Sequence, residues 1–182
     1  MTNISDADIC IKPFQNGQEE ELIKFIVGIQ RDEFGIPITA SDQPDLMNIP
    51  DFYQINNGNF WTASWKNHIV GTIALRDIGG NMAALRKMFV DAKFRGSSAG
   101  TANKLMKTLL LWSKQHGIKE IYLGTTSAFL AAHRFYEKNF FMEIMKEELP
   151  ESFPVMKVDS KFYKYCISSV ANTHQNGEKR SP

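Results

Sequence analysis

The sequence predicts a single domain of mixed α/β class, with a central and mostly antiparallel sheet that is flanked by helices. Two features of the chain lead to this prediction. Strand-like runs in its middle follow one another with only short turns between them, which is typical of antiparallel strands. Farther along, a strand-like run, a helix-like run and another strand-like run succeed each other. This order predicts a βαβ unit whose two strands are parallel.

The first part of the chain predicts one strand, one helix and a loop. Residues 9–14 alternate weakly between apolar and polar side chains, which suits a first strand. Residues 17–34 predict a helix, because Leu22 and Ile26 share one face and acidic residues stand near the N-terminus. Residues 35–58 contain three prolines and several turn-forming residues, so we expect a loop with short helical pieces.

The middle of the chain predicts three strands in succession. Residues 59–65 and 68–78 are strand-like runs on either side of Lys66 and Asn67, which indicates a hairpin. The Gly-Gly-Asn stretch at 79–81 then turns the chain into a third strand over 82–90.

The predicted βαβ unit consists of a strand at 83–90, a helix at 98–116 and a strand at 118–124. Three elements follow it: a helix over 128–140 and strands over 141–149 and 161–167.

Composition limits the classes of function. The whole chain has 43% hydrophobic and 23% charged residues, which is typical of a globular protein. We expect one domain over residues 1–168, and the polar residues 169–182 predict a disordered tail. The net charge of +1 gives no electrostatic reason to expect nucleic-acid or membrane partners. Cys10 and Cys166 lack metal-ligand spacing, so we expect no metal and reduced thiols in a cytoplasmic protein. No signal peptide or membrane-spanning run is visible.

One segment, FRGSSAGTANKL at 94–105, predicts an anion-binding site. Small residues around Gly96 and Gly100 let a ligand approach the backbone closely, and the first turn of the following helix carries unpaired N–H groups and partial positive charge. Together these features favour a phosphate or pyrophosphate group. The segment lacks the Gly-Lys-Ser/Thr ending of a Walker loop and does not follow a first strand. A flexible turn before a helix is the alternative interpretation.

Two motifs in this part of the chain resemble those of the GNAT superfamily of N-acetyltransferases. The first motif of that family reads roughly Val-x-x-x-x-Arg-Gly-x-Gly-x-Gly after a strand. Val90, Arg95, Gly96 and Gly100 match it, and Ser98 stands where the middle glycine is usual. Serine is also small and can offer its amide, so the departure is mild.

The second family motif reads Ala-x-x-x-Tyr-Glu-Lys-x-Gly-Phe. The matching residues are Ala132, Tyr136, Glu137, Lys138 and Phe141. Phe140 replaces the usual glycine, and Phe129 stands where an asparagine is often found. The resemblance runs over roughly residues 8–168. The two motifs occur in the family's order, with a helix and a strand between them.

This resemblance implies acetyl-CoA as a co-substrate and a cleft where the fourth strand splays from the fifth. By position, the backbone of Met88, Phe89 and Val90 would contact the pantetheine arm. The pyrophosphate would lie on backbone amides of the loop and the helix start. Those residues are Arg95, Gly96, Ser97, Ser98, Ala99, Gly100 and Thr101.

The chemistry of acetyl transfer requires a base and an acid. An alkyl ammonium group, with a pKa near 10.4, must lose a proton before it attacks the thioester, and a carboxylate or water can accept that proton. Glu33 and Asp77 are the candidate bases, although both also suit surface or turn positions. Tyr136 matches the tyrosine that the family uses to protonate the leaving thiolate, and its alternative role is an aromatic core residue.

The sequence thus predicts an N-acetyltransferase that acts in a ternary complex on an amine of a small molecule, amino acid or peptide. Arg76, Arg86 and Lys87 lie on central strands, where they can hold a substrate carboxylate or pair with neighbouring acids. The alternative is a non-catalytic GNAT-fold module that binds acyl-CoA or serves a structural role. A homodimer is a possible assembly, because many relatives are dimers.

Overall fold

The computed structural model describes residues 8–96, 100–127 and 129–167. In these residues seven strands form one sheet with the order β1-β2-β3-β4-β5-β7-β6. The strands are β1 (Cys10–Pro13), β2 (Asn59–Trp65), β3 (His68–Gly79), β4 (Met82–Val90), β5 (Glu120–Thr125), β6 (Met142–Ile144) and β7 (Lys161–Cys166). The α-helices are α1 (Glu19–Gly28), α2 (Ile49–Tyr53), α3 (Thr101–Gln115) and α4 (Leu130–Lys138). The predicted tail at 169–182 lies outside the described residues.

The strand directions confirm the predicted fold class. β4 and β5 are parallel and are connected through α3, whereas every other neighbouring pair in the described sheet is antiparallel. One prediction was too long. The strand expected over 141–149 ends at Ile144, because the chain enters a short 3-10 turn at Lys146–Glu148 that is capped by the Glu148 side chain.

The sheet carries a separate apolar cluster on each face. On one face, Leu105 and Leu109 of α3 and Tyr136 of α4 belong to the same apolar cluster as Leu75 and Leu85. On the other face, side chains from α1 and α2 pack on the sheet. That cluster includes Leu22, Ile26, Ile49, Tyr53, Phe60 and Ala74. Because both faces are covered, the interior strands are almost continuously apolar, as in β3.

The first helix has an irregular end that shapes the later site. α1 passes directly into a π-helical turn at Ile29–Glu33, so the predicted helix at 17–34 is present but changes its winding. The loop at 35–58 contains the expected short helical pieces, at Ala40–Asp42, Pro44–Leu46 and α2.

A β-bulge interrupts the pairing of β3 with β4. Ala74 lies opposite Arg86 and Thr72 lies opposite Phe89, so β4 has one more residue than β3 between these pairs. Lys87 occupies the bulge with a φ of 52°, and the hydroxyl of Thr72 donates to its carbonyl oxygen at 2.7 Å. The bulge bends β4 just before its C-terminal end.

β4 and β5 pair over only a short distance. Met82, Ala83 and Ala84 lie opposite Glu120, Ile121 and Tyr122, and the pairing stops there. Beyond Tyr122, β5 continues to pair with β7 as far as Thr125, so β5 follows β7 and diverges from β4. The result is a gap between the C-terminal halves of two parallel strands, as the family resemblance implies.

A residue with left-handed backbone follows α4. Phe140 has a φ of 65°, its N–H donates to the Glu137 carbonyl, and the N–H of Phe141 donates to the Tyr136 carbonyl. Glycine is the usual residue at such a helix end, because a Cβ is strained in this region. The Phe140 side chain is 82% exposed, so it offsets little of this strain by packing.

We predict that Phe140→Gly stabilises the protein by about 0.5–1 kcal/mol, because the relief of strain exceeds the extra entropy that glycine has in the unfolded chain. The melting temperature should rise by roughly 1–4 °C in a calorimetric scan. Phe140→Ala is the matched control, since it removes the ring but keeps the Cβ. Equal stabilisation by both variants would show that the exposed ring, and not the backbone, was unfavourable.

Candidate active site

The gap between β4 and β5 opens into a cavity of about 760 Å³. Leu85–Val90 of β4 form one wall, and Gly124–Thr126 at the end of β5 form another. Helix α4, as far as Tyr136, and the segment 153–159 close two further sides. The described residues contain no group of three or more side chains suited to hold a metal. In the same part of the chain no helix has the length and apolar composition needed to span a bilayer.

The predicted pantetheine edge lies on the wall of this cavity. Met88, Phe89 and Val90 all line it, on the strand that has lost its partner at this point. The carbonyl oxygen of Val90 already accepts a hydrogen bond from Nε of Arg95, at 2.7 Å. This carbonyl oxygen is therefore engaged. Because the backbone groups of successive strand residues point to alternate edges, only some of those at Met88, Phe89 and Val90 face the gap and can bind a ligand.

The predicted anion cradle is in part visible. Gly96 and Gly100 have φ values of 96° and 59°, which glycine adopts without strain, and α3 begins at Thr101. The Thr101 hydroxyl is buried and has no hydrogen-bond partner within the described ranges. An orphan hydroxyl and unpaired amides in the first turn of a helix fit the phosphate oxygens of a CoA-type ligand. The predicted contacts at Ser97, Ser98 and Ala99 lie outside the described residues.

Tyr136, the predicted acid, lines the cavity from α4. Its ring is 6% exposed, packs against Tyr163 and Phe141, and lines the cavity. Burial raises the pKa of its hydroxyl well above 10, so the group stays protonated throughout the neutral range. A neutral phenol in the wall can donate a hydrogen bond to a thiolate that forms beside it.

Glu33 is paired with the arginine of the first motif. Its carboxylate lies 2.6 Å from Nη2 of Arg95, and both side chains are partly exposed, at 30% and 40%. Glu33 does not belong to the residues that line the cavity. Because the Arg95 guanidinium engages this carboxylate outside the cavity, the geometry does not favour the predicted base role, and the ion pair instead ties the loop to the π-helical turn.

The expected position of Asp77 near the cleft is wrong. Asp77 lies opposite Ala83, at the end of β4 that is remote from Val90, and it does not line the cavity. Its carboxylate accepts hydrogen bonds from the backbone N–H groups of Asn57 and Gly79. The antiparallel register explains the difference, because the C-terminal end of β3 lies beside the N-terminal end of β4.

Sequence reasoning missed a buried polar network on one wall of the cavity. Nζ of Lys87 lies 3.1 Å from Oδ2 of Asp45 and donates to the Gln43 side chain, and the Tyr53 hydroxyl donates to Asp45 at 2.5 Å. Burial lowers the pKa of Lys87 and raises that of Tyr53. Asp45 and Gln43 lie in a proline-containing loop with no motif, so no local signal in the sequence pointed to them.

Two aromatic side chains meet across the cavity. The ring centroids of Phe34, after the π-helical turn, and Phe129, before α4, are 4.4 Å apart, and both residues line the cavity. Phe129 is the residue that stands where an asparagine is often found, so this departure replaces a polar group by an apolar contact. His133 is buried nearby, with Nε2 2.9 Å from the Thr126 carbonyl oxygen, which suits a structural role.

Comparison with known proteins identifies the family. The model of the acetyltransferase (GNAT) family matches residues 23–140, so the chain belongs to this family. A GNAT-family acetyltransferase of Staphylococcus aureus Mu50 is 42% identical and has a TM-score of 0.84, over 88% of this chain and 99% of that one. The family identification confirms the resemblance and the fold that it implied.

More distant similarities extend this comparison. N-acetylaspartate synthetase of Xenopus tropicalis is 33% identical over 102 residues, which are 55% of this chain and 37% of that protein. The chain thus spans little more than a third of that curated relative. A PaiA N-acetyltransferase of Thermoplasma acidophilum, solved with coenzyme A, has a TM-score of 0.67 over 87% of this chain and 98% of that one. At 15% identity it shares the fold alone.

We predict that Glu33→Gln raises the KM for acetyl-CoA about 2- to 5-fold and changes kcat less than about 2-fold, because a partly exposed ion pair contributes at most about 1 kcal/mol. Steady-state kinetics with varied acetyl-CoA would check this. Asp32→Asn is the control, since Asp32 forms an exposed pair with Arg31 on the same turn. A fall in kcat of about 100-fold for Glu33→Gln alone would instead identify Glu33 as the base.

Proposed function

We propose that the protein is an N-acetyltransferase that transfers the acetyl group of acetyl-CoA to a primary amine of a small molecule, an amino acid or a peptide. The observation that carries this proposal is the gap between β4 and β5, with the protonated Tyr136 in its wall. The proposal also places the protein in the cytoplasm, which its balanced charge and free Cys10 and Cys166 support.

The binding of acetyl-CoA would use backbone groups more than side chains. The edge of β4 that faces the gap around Met88 can hydrogen-bond to the amide-rich pantetheine arm as a strand would. Gly100 and the first turn of α3 would hold the pyrophosphate. The Thermoplasma acidophilum neighbour with coenzyme A supports this use of the shared fold.

The reaction needs only groups that the cavity wall supplies. Acetyl-CoA brings an activated acyl group, so the protein has to position the amine and stabilise the charges that develop. Amide N–H groups on the unpaired edge of β4 can stabilise the negative charge that develops on the carbonyl oxygen. The Tyr136 hydroxyl, neutral at physiological pH, donates a proton or a hydrogen bond to the departing sulfur.

Two measurements test this proposal. Isothermal titration should show micromolar binding of acetyl-CoA and much weaker binding of ADP, which lacks the pantetheine arm. A thiol-release assay with a panel of amines should then detect free CoA that depends on the acceptor. Binding without any acceptor-dependent release would favour the non-catalytic acyl-CoA-binding module, and absence of binding would refute the proposal.

We predict that Tyr136→Phe lowers kcat roughly 100-fold and leaves the Kd for acetyl-CoA unchanged, because the variant keeps the ring and loses only the proton donor. Tyr163→Phe is the matched control. Tyr163 is also buried, but its hydroxyl donates to Glu137 and the residue does not line the cavity. Unchanged turnover in Tyr136→Phe would exclude Tyr136 as the acid.

A further inference from the structure

Arg86 is a cavity-lining cation without an anionic partner. It lies on β4, beside the start of the gap, and its Nη2 contacts the Met156 thioether sulfur at 3.3 Å. In the described part of the chain no carboxylate lies within 4.0 Å of its guanidinium group. A partly buried guanidinium that only a thioether contacts retains its capacity to bind a carboxylate with two parallel hydrogen bonds.

The β-bulge at Lys87 determines which charged side chains of β4 lie on the face of the sheet that packs against α1 and α2. Arg86 lies opposite Ala74, which packs in the apolar cluster with α1 and α2, so Arg86 is on that face. In a regular strand, the Lys87 side chain would lie on the opposite face of the sheet from Arg86. Because of the bulge, its amine instead contacts Asp45 and Gln43, which lie in the loop on the same face as α2. Because Asp45 neutralises Lys87, Arg86 is the one of these two β4 cations that has no anionic partner within the described residues.

An acidic group lies near Arg86 without pairing to it. Asp159 lines the cavity, and its carboxylate packs so closely over the Cα of Gly124 that a side chain there would collide with it. Its Oδ2 accepts the N–H of Met156 at 2.8 Å. Burial raises the pKa of Asp159, and the positive charge of Arg86 opposes this shift. A carboxylate of raised pKa is a better proton acceptor than an exposed aspartate.

We propose that the acceptor substrate is a free α-amino acid, whose carboxylate binds Arg86 and whose ammonium group binds Asp159. This inference rests on the proposed acetyltransferase function and narrows its acceptor. Two opposite charges that face one cavity and do not pair with each other match the carboxylate and ammonium of a zwitterion. A peptide amine lacks the adjacent carboxylate and would leave Arg86 unpaired, which is costly in a partly buried site.

The proton transfers balance with these groups. Asp159 accepts one proton from the ammonium group and later releases it to solvent. The neutral nitrogen forms a bond to the acetyl carbonyl carbon, and the carbon–sulfur bond breaks. Tyr136 donates its proton to the CoA sulfur, and the second proton lost by the nitrogen passes through solvent to reprotonate Tyr136. The products are an N-acetyl amino acid, free CoA and one proton.

The test compares free amino acids with their carboxamides, which keep the amine and lose the carboxylate charge. Wild-type enzyme with saturating acetyl-CoA should acetylate at least one L-amino acid with a kcat/KM at least 10-fold above that of its amide. Arg86→Gln should raise the KM of that amino acid 10-fold or more and change the amide little. Arg86→Lys should restore part of the discrimination, and Asp159→Asn should lower kcat for both acceptors.

Arg76→Gln is the matched control for this series. Arg76 lies on the neighbouring strand, with its guanidinium 4.3 Å from the centre of the Phe52 ring, and does not line the cavity. Its substitution should leave the preference for the free acid unchanged. Circular dichroism of each variant separates loss of binding from loss of folding.

Other outcomes separate this inference from the proposed function. If carboxamides or simple amines are acetylated as well as free amino acids, or Arg86→Gln keeps the preference, the acceptor assignment is wrong and the acetyltransferase function stands. If no amine leads to the release of CoA, titration of the same amino acids into the CoA-saturated protein still tests whether they bind at this site. Binding that Arg86→Gln weakens 10-fold or more supports the site, and absence of binding overturns it.

Discussion

The divergence of β4 from β5 is the constraint on which the rest of this structure depends. A parallel pair that continued beyond Ala84 and Tyr122 would close the space in which the cavity lies. Two interactions oppose that closure. The bulge at Lys87, fixed by the hydrogen bond from Thr72, bends β4, and the antiparallel pairing with β7 draws β5 away. The backbone edge thus exposed needs partners, and an amide-rich ligand can supply them.

The same bulge links the backbone to the chemistry of the cavity wall. It turns Lys87 onto the face that carries Arg86, where Asp45, Tyr53 and Gln43 enclose its amine. This network holds the loop before α2 against β4. Removal of one partner of a buried ion pair costs about 3–5 kcal/mol, because it leaves the other charge uncompensated. The contacts between this loop and β4 therefore help to determine the shape of this cavity wall, although the loop has little regular structure.

The sequence was sufficient to predict the order of the helices and strands and to identify the two family motifs. The strand-like runs over 59–65 and 68–78, the turn at 79–81 and the helix after Gly100 all depend on neighbours in the chain, and the structure contains them. The bulge was not predictable, because a regular strand and a bulged strand of the same residues differ only in their register with β3. Phe140 shows the reverse case, since the motif marked a glycine position and the backbone there is left-handed.

Side-chain roles were the least predictable part. Asp77 sits in a strand that passes the cleft, but register places its carboxylate at the far end of the sheet. Glu33 is 62 positions from Arg95 in the chain, and nothing local in the sequence indicates that the two form an ion pair. Asp159 lies in an irregular segment after β6, where no periodicity exists to orient it. Such partners are fixed by tertiary contacts between distant segments.

A crystal structure with bound acetyl-CoA would test the central claim most directly, namely that the gap between β4 and β5 is the binding site. We expect the pantetheine arm to lie between the two strands with hydrogen bonds to the backbone at Met88, the pyrophosphate at the start of α3, and the sulfur within hydrogen-bond distance of the Tyr136 hydroxyl. A ligand bound elsewhere, or β4 and β5 paired along their whole length in the complex, would contradict it.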